Sequence, residues 1–154
     1  MSNELSLGEL WEAARSYKRA LRSLEPSDLP EEVRLYLEHA IAPGTPIATA
    51  VRLRMHGEIR LRRWFPFRAE QVISLDRGMI WNATVRMYGM PIRGSDRLVN
   101  GQGAMRWKLL GVIPVMTASG SDITRSAVGR VQGESVWLPA VLSSDKENDV
   151  TEAS

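Results

Sequence analysis

The sequence predicts an α+β domain: a curved antiparallel β-sheet of about five or six strands, two N-terminal helices, and one C-terminal helix packed on one face. Three observations carry that expectation. Apolar residues recur at helical spacing as far as Ile41, the period then switches to two from Ile47 to Leu61, and glycine-bearing turns separate further alternating runs downstream. The chain has 154 residues, enough for one domain with its own core. It divides into an N-terminal amphipathic helix (1–26), an α+β domain (27–143) and an acidic tail (144–154) expected to be disordered.

Leu5, Leu7, Leu10, Trp11, Ala14, Tyr17, Leu21 and Leu24 form one helical stripe, with Glu12, Arg15, Lys18, Arg19 and Arg22 between them. The spacing predicts a helix over 7–24, acidic early and basic late as the macrodipole favours. Pro26 breaks it. Asp28, Pro30 and Glu31 then read as cap, first turn and capping-box partner of a second helix over 29–41, whose stripe is Val33, Leu37, Ala40 and Ile41. Pro43-Gly44-Thr45-Pro46 closes it.

From Ile47, Thr49, Val51, Leu53, Met55, Gly57, Ile59 and Leu61 fall on one side and Arg52, Arg54, His56, Glu58, Arg60 and Arg62 on the other. Such alternation describes a strand with one wet face. A hairpin at Gly57 is compatible with a three-residue loop; one long strand bent at Gly57 is preferred. Asp76-Arg77-Gly78 predicts a hairpin pairing Leu75 with Met79 and Ile73 with Trp81. Residues 88–96, with Gly89, Pro91 and Gly94, read as a connection to the next strand. Asn100-Gly101 predicts a hairpin between 97–99 and 102–110. Gly111 and Pro114 interrupt the run that follows, 118–122 reads as a loop, and a helix is expected from Ile123 despite Gly129 and Gly133.

Leu29-Pro-x-x-Val-Arg-x-Tyr-Leu37, Gly57-x-Ile-Arg-Leu61, Trp64-x-Pro-Phe-x-Ala-x-Gln71, Trp81-x-Ala83, Gly101-x-Gly-x-Met105 and Arg130-x-x-x-Glu134-x-x-Trp-Leu-Pro139 lie in that order. In these stretches the chain resembles a bacterial family of uncharacterised proteins, a domain of unknown function, from Leu29 to Leu142. The resemblance implies a sheet extended by further strands past the Trp-Leu-Pro segment, so that this chain is expected to be either the first half of the usual domain or a naturally short relative. It carries no functional residue with it.

Composition removes several chemistries. There is no cysteine, hence no thiol nucleophile and no cysteine zinc site. Only His39 and His56 are present, and neither has a nucleophile and an acidic partner at recognisable spacing. His56 and Glu58 share a strand face but lack a third ligand, and Arg54 and Arg60 beside them repel a cation. No phosphate-binding glycine loop occurs; Gly101-Gln102-Gly103 belongs to a hairpin. No catalytic residue, metal or cofactor is therefore assigned. The first six residues lack the basic start of a secretory signal, and no apolar run approaches the ~20 residues of a membrane helix. The expected compartment is the cytoplasm.

What remains is a non-enzymatic binding protein. Its candidate ligand site is the concave side of the sheet, lined by Met55, Trp81, Met87, Met105 and Trp107, with Arg130 and Glu134 as a polar anchor at the mouth. The expected ligand is an apolar small molecule or lipid. The alternatives are a protein-interaction module or a homodimer that completes the sheet. A nucleic acid on the arginine face ranks last, because Trp81 and Trp107 fall on the apolar side and the net charge is only +2.

Overall fold

The computed structural model describes residues 4–16, 30–42, 45 and 48–138. Among them α1 spans Leu7–Ser16 and α2 Glu31–Ala40; six strands follow, β1 Ala50–Arg60, β2 Trp64–Ser74, β3 Gly78–Met87, β4 Met90–Val99, β5 Gln102–Leu109 and β6 Ile113–Ser119. Helix α3, Ser121–Glu134, and a 3₁₀ turn, Ser135–Trp137, end the described chain. The strands form one open antiparallel meander in sequence order, with β1 and β6 at its edges. The α+β reading therefore holds.

Period-two alternation runs from β1 to β5, where the cross-strand register turns it into two chemically distinct faces; a bulge opposite Trp107 and Lys108 interrupts it at β6. On one face the rows are Val51–Ile73–Met79–Leu98–Gly103, Leu53–Gln71–Trp81–Asp96–Met105 and Met55–Ala69–Ala83–Gly94–Trp107. On the other they are Arg52–Val72–Ile80–Arg97–Ala104, Arg54–Glu70–Asn82–Ser95–Arg106 and His56–Arg68–Thr84–Arg93–Lys108. The first is the apolar face, the second the arginine face.

The helices take opposite faces at the same end of the sheet. Leu7 and Leu10 of α1 pack on Val72 and Ile80, with Trp11 and Val99 beside them, on the arginine face. Leu138, just after the 3₁₀ turn, is buried with Ile73 and Met79 against Val51, Leu53 and Val131 on the apolar face. The start of α1 is a capping box: the Glu9 N–H donates to Ser6 Oγ (3.2 Å), and the Ser6 N–H donates to Glu9 Oε2 (2.7 Å). Ser6-x-x-Glu9 is a sequence signal that the periodicity of the stripe overshadowed. The backbone and side-chain bonds from Ser6 hold the Glu9 carboxyl below its usual range. Tyr17, Leu21, Leu24 and the Asp28 cap lie outside the described residues, as does the acidic tail; α2 begins after Pro30, which makes no side-chain cap bond.

Strand β1 is a single strand across Gly57, the alternative preferred from the sequence; Gly57 pairs with Phe67 and lies against its ring. Three other local expectations change. The following hairpin pairs Ile73 with Met79 and Gln71 with Trp81, two residues along β2 from the expected register, which keeps every side chain on its face. Gly78 is the reason: it takes φ 103° and still pairs with Ser74, so the loop is 75–77, and a side chain there would strike the Leu98 carbonyl on β4. Residues 90–99 are a full strand rather than a connection, because Tyr88 (φ 51°) and Gly89 (φ 80°) make a two-residue turn like that of Asn100 (φ 50°) and Gly101 (φ 75°). Ala118 and Ser119, expected in a loop, complete β6.

Helix α3 is seated closely on β5. The Gly103 N–H donates to Thr124 Oγ1 (3.0 Å), and a side chain at Gly103 would meet the Thr124 backbone. Gly133, inside α3, has open space around it. The two glycines should respond with opposite sign in urea unfolding: Gly103→Ala should lose roughly 2 kcal/mol by overpacking, and Gly133→Ala should gain about 0.5–1 kcal/mol from helix propensity.

Candidate functional site

Beyond α1, the arginine face forms an open trough of about 1110 Å³ running across β1 to β5. Its lining includes Arg54, His56, Arg68, Glu70, Asn82, Thr84, Arg93, Ser95, Arg106 and Lys108, contributed by adjacent rows of the sheet. The large concavity thus lies on the arginine side. Of the seven ligand residues expected from sequence only Met55 borders it, and the face of Met55 is the opposite one.

Charge is distributed unevenly within the trough. In the row nearer α1 the cations are already neutralised: Arg54 Nε and Arg52 Nη2 both donate to Glu70 (2.8 and 3.1 Å), and Arg106 donates twice to Glu4 (2.6 Å each), which precedes α1. Arg97 also reaches Glu4 and donates to the Leu5 carbonyl (2.7 Å). The bond from Arg52 is the largest influence holding the Glu70 carboxyl below its ordinary range, against a partial opposing effect of burial. One row further on, Arg68, Arg93 and Lys108 have no ion-pair partner among the described residues. Thr84 stands between Arg68 and Arg93, and His56 heads the row. With strands ~4.8 Å apart, this is a line of hydrogen-bond donors across five strands. Such a line can bind an anion by charge-assisted hydrogen bonds.

The other expected residues gather on the far side of the sheet. Trp81 and Trp107 approach at 6.0 Å between ring centroids. Trp107 lies across Gly94, its partner on β4, where any side chain would collide with the indole. Arg130 of α3 sits 4.8 Å over the Trp81 ring and donates to Asp96 (3.0 Å) and to Glu134 (2.9 Å). Glu134 in turn accepts from the buried Gln71, whose amide also lies 2.8 Å from the Met79 sulfur. Asp96 and Gln71 flank Trp81 in one row, so the i,i+4 pair on α3 meets the two polar members of an otherwise apolar face. Sequence singled out Arg130 and Glu134 but missed Gln71, a polar residue at an apolar-face position of β2, and Asp96, whose face was visible only once β4 was known to be a strand. The space left between α3 and the sheet, lined by Met105, Asp96 and Arg130 among others, is about 60 Å³. That is room for about two waters. Met87 is away from this cluster, at the Tyr88-Gly89 end of β3, opposite Met90.

Among the described residues no group of three or more His, Asp or Glu is placed to hold a metal ion, and no helix is long and apolar enough to cross a membrane. His39 is exposed in the last turn of α2, and His56 is exposed at the trough.

The chain belongs to a family of unknown function, DUF6544, whose model matches residues 19–148. No curated protein and no solved structure matches it.

Burial raises the Asp96 carboxyl above its ordinary range, and the Arg130 charge and the Trp107 indole only partly offset it. A carboxyl raised in the folded state costs stability above its folded pKa, and that cost is relieved as pH falls through it. Asp96→Asn should therefore be at least as stable as the native chain at pH 7, with the difference closing as pH is lowered, in calorimetric melts across that range. Arg130→Ala leaves Asp96 and Glu134 facing each other without a cation and should lose about 2 kcal/mol.

Proposed function

We propose that this chain is a binding protein that holds an anionic ligand in the trough on the arginine face. The observation that carries the reading is the row of Arg68, Arg93 and Lys108, three cations without an ion-pair partner among the described residues on the wall of a cavity of about 1110 Å³. Neighbouring arginines are matched with Glu70 and Glu4, so the charge left over is local. Arginine and lysine at adjacent register positions, with Thr84 between strands, suit phosphate or carboxylate oxygens. A ligand that binds only the folded chain raises its melting temperature. A panel of di- and trivalent anions at low salt should include members that do so, and the gain should vanish in a variant carrying Arg68→Gln, Arg93→Gln and Lys108→Gln. A flat response across the panel defeats the reading.

A second reading rests on a separate observation. The apolar face beyond α3 leaves Ile59, Met90, Ile113 and Met116 exposed, next to the half-buried Met55 and Met87. An apolar small molecule or lipid covering that half of the sheet would satisfy them. Native mass spectrometry of the protein taken directly from cells should then show a bound lipid mass, which Met87→Asp together with Met116→Asp should abolish.

A further inference from the structure

The turns at 61–63, 88–89 and 110–112 share the end of the sheet opposite the helices. Each presents large apolar side chains to solvent: Leu61 is 57% exposed and Trp64 60%, Tyr88 73%, Leu110 52% and Val112 72%. The core does not use these groups. The backbone makes two of them harder to explain, because Tyr88 (φ 51°) and Leu110 (φ 55°) occupy the left-handed region, each followed by a glycine at positive φ. Bulky residues are disfavoured there, and Asn is the residue that suits the place. The turn at the helix-covered end has Asn100-Gly101 in the same conformation. Tyr and Leu are thus held in strained, exposed positions that the fold itself would fill with Asn.

The charge around these tips is one-sided. The stretches 59–69, 83–95 and 106–117 contain Arg60, Arg62, Arg63, Arg68, Arg86, Arg93, Arg106 and Lys108, and no Asp or Glu. Glu58, opposite Pro66, is the one acid in the row behind the tips, and Arg106 is already bound to Glu4, so the positive excess at this end rests on Arg60, Arg62, Arg63, Arg68, Arg86, Arg93 and Lys108. Arg60 lies 5.9 Å over the exposed Trp64 ring, and the Phe65 ring meets Tyr88 edge-on at 5.5 Å, linking two of the tips.

We infer that this end of the sheet docks on an anionic membrane surface. The tips enter the headgroup layer and the arginines behind them contact lipid phosphates. Exposed aromatic and aliphatic side chains surrounded by cations match that interface, in which Trp and Tyr rings sit at the headgroup level. A nucleic acid would use the cations but has no place for Leu61, Leu110 and Val112. The docking is peripheral and does not depend on the trough having a ligand.

The test is co-sedimentation of the full chain with phosphatidylcholine vesicles, alone or with about one third phosphatidylserine. The chain should pellet with the mixed vesicles and stay in solution with phosphatidylcholine alone. The double variant Tyr88→Asn, Leu110→Asn relieves the backbone strain, so it should melt at a higher temperature than the native chain while its vesicle affinity falls about tenfold or more. Arg62→Gln with Arg63→Gln should weaken binding and its salt dependence together. The inference is overturned if the native chain does not pellet with the mixed vesicles at low salt. It is equally overturned if the Asn variant binds as tightly as the native chain, because the tips then play no part.

Discussion

The alternation of side chains along the paired strands is the constraint on which the rest of this molecule depends. In an antiparallel meander every residue shares its face with the residue opposite, so one register decision in β1 propagates to β5, and a bulge at Trp107 and Lys108 interrupts it only on the way to β6. Here it sends Leu53, Gln71, Trp81, Asp96 and Met105 to one side and Arg54, Glu70, Asn82, Ser95 and Arg106 to the other. A slip by a single residue would bury guanidinium groups and expose the core. The Gly78 contact with the Leu98 carbonyl and the Trp107 ring over Gly94 are two places where the register is held by shape as well as by polarity.

The helices exploit that division at one end only. α1 covers Val72 and Ile80 on the arginine face, while α3 and Leu138 cover Ile73 and Met79 on the apolar face. Glu4, ahead of α1, ties Arg97 and Arg106, so the helix that completes the core also neutralises the near side of the trough. On the far side Arg68, Arg93 and Lys108 have no ion-pair partner among the described residues. On the apolar face the cost of carrying Asp96 and Gln71 is partly offset by Arg130 and Glu134, which reach down from a single turn of α3. The uncovered end of the sheet carries the exposed aromatic and aliphatic turns. One molecule thus has a packed end, a charged middle and an apolar, basic tip.

Much of this architecture was legible in the residues, and the failures have physical causes. The parity of β1 was plain because arginine alternates with Val, Leu and Met there. Strand β4 was hidden because Pro91, Gly94 and Asp96 are poor strand residues; they are tolerated where Trp107 covers Gly94 and Arg130 meets Asp96. The hairpin pairing differs by two residues from the one that matched apolar residues, because that matching is a weaker rule than the backbone demand at Gly78. The candidate residues Trp81, Met105, Trp107, Arg130 and Glu134 do come together, with Arg130 stacked on Trp81. They do so as a packed contact between helix and sheet.

The sequence by itself determined the class of the fold, the polarity of each sheet face, the position of the Asn100-Gly101 turn and the absence of thiol chemistry. These follow from period, glycine placement and composition, which are local properties. Which face carries the trough was decided only by the tertiary structure, because it depends on where α1 and α3 pack and on the twist accumulated across the strands. The same holds for which cations are matched: Glu4 and Arg106 lie 102 positions apart in the chain, and only the packing of α1 brings them to 2.6 Å.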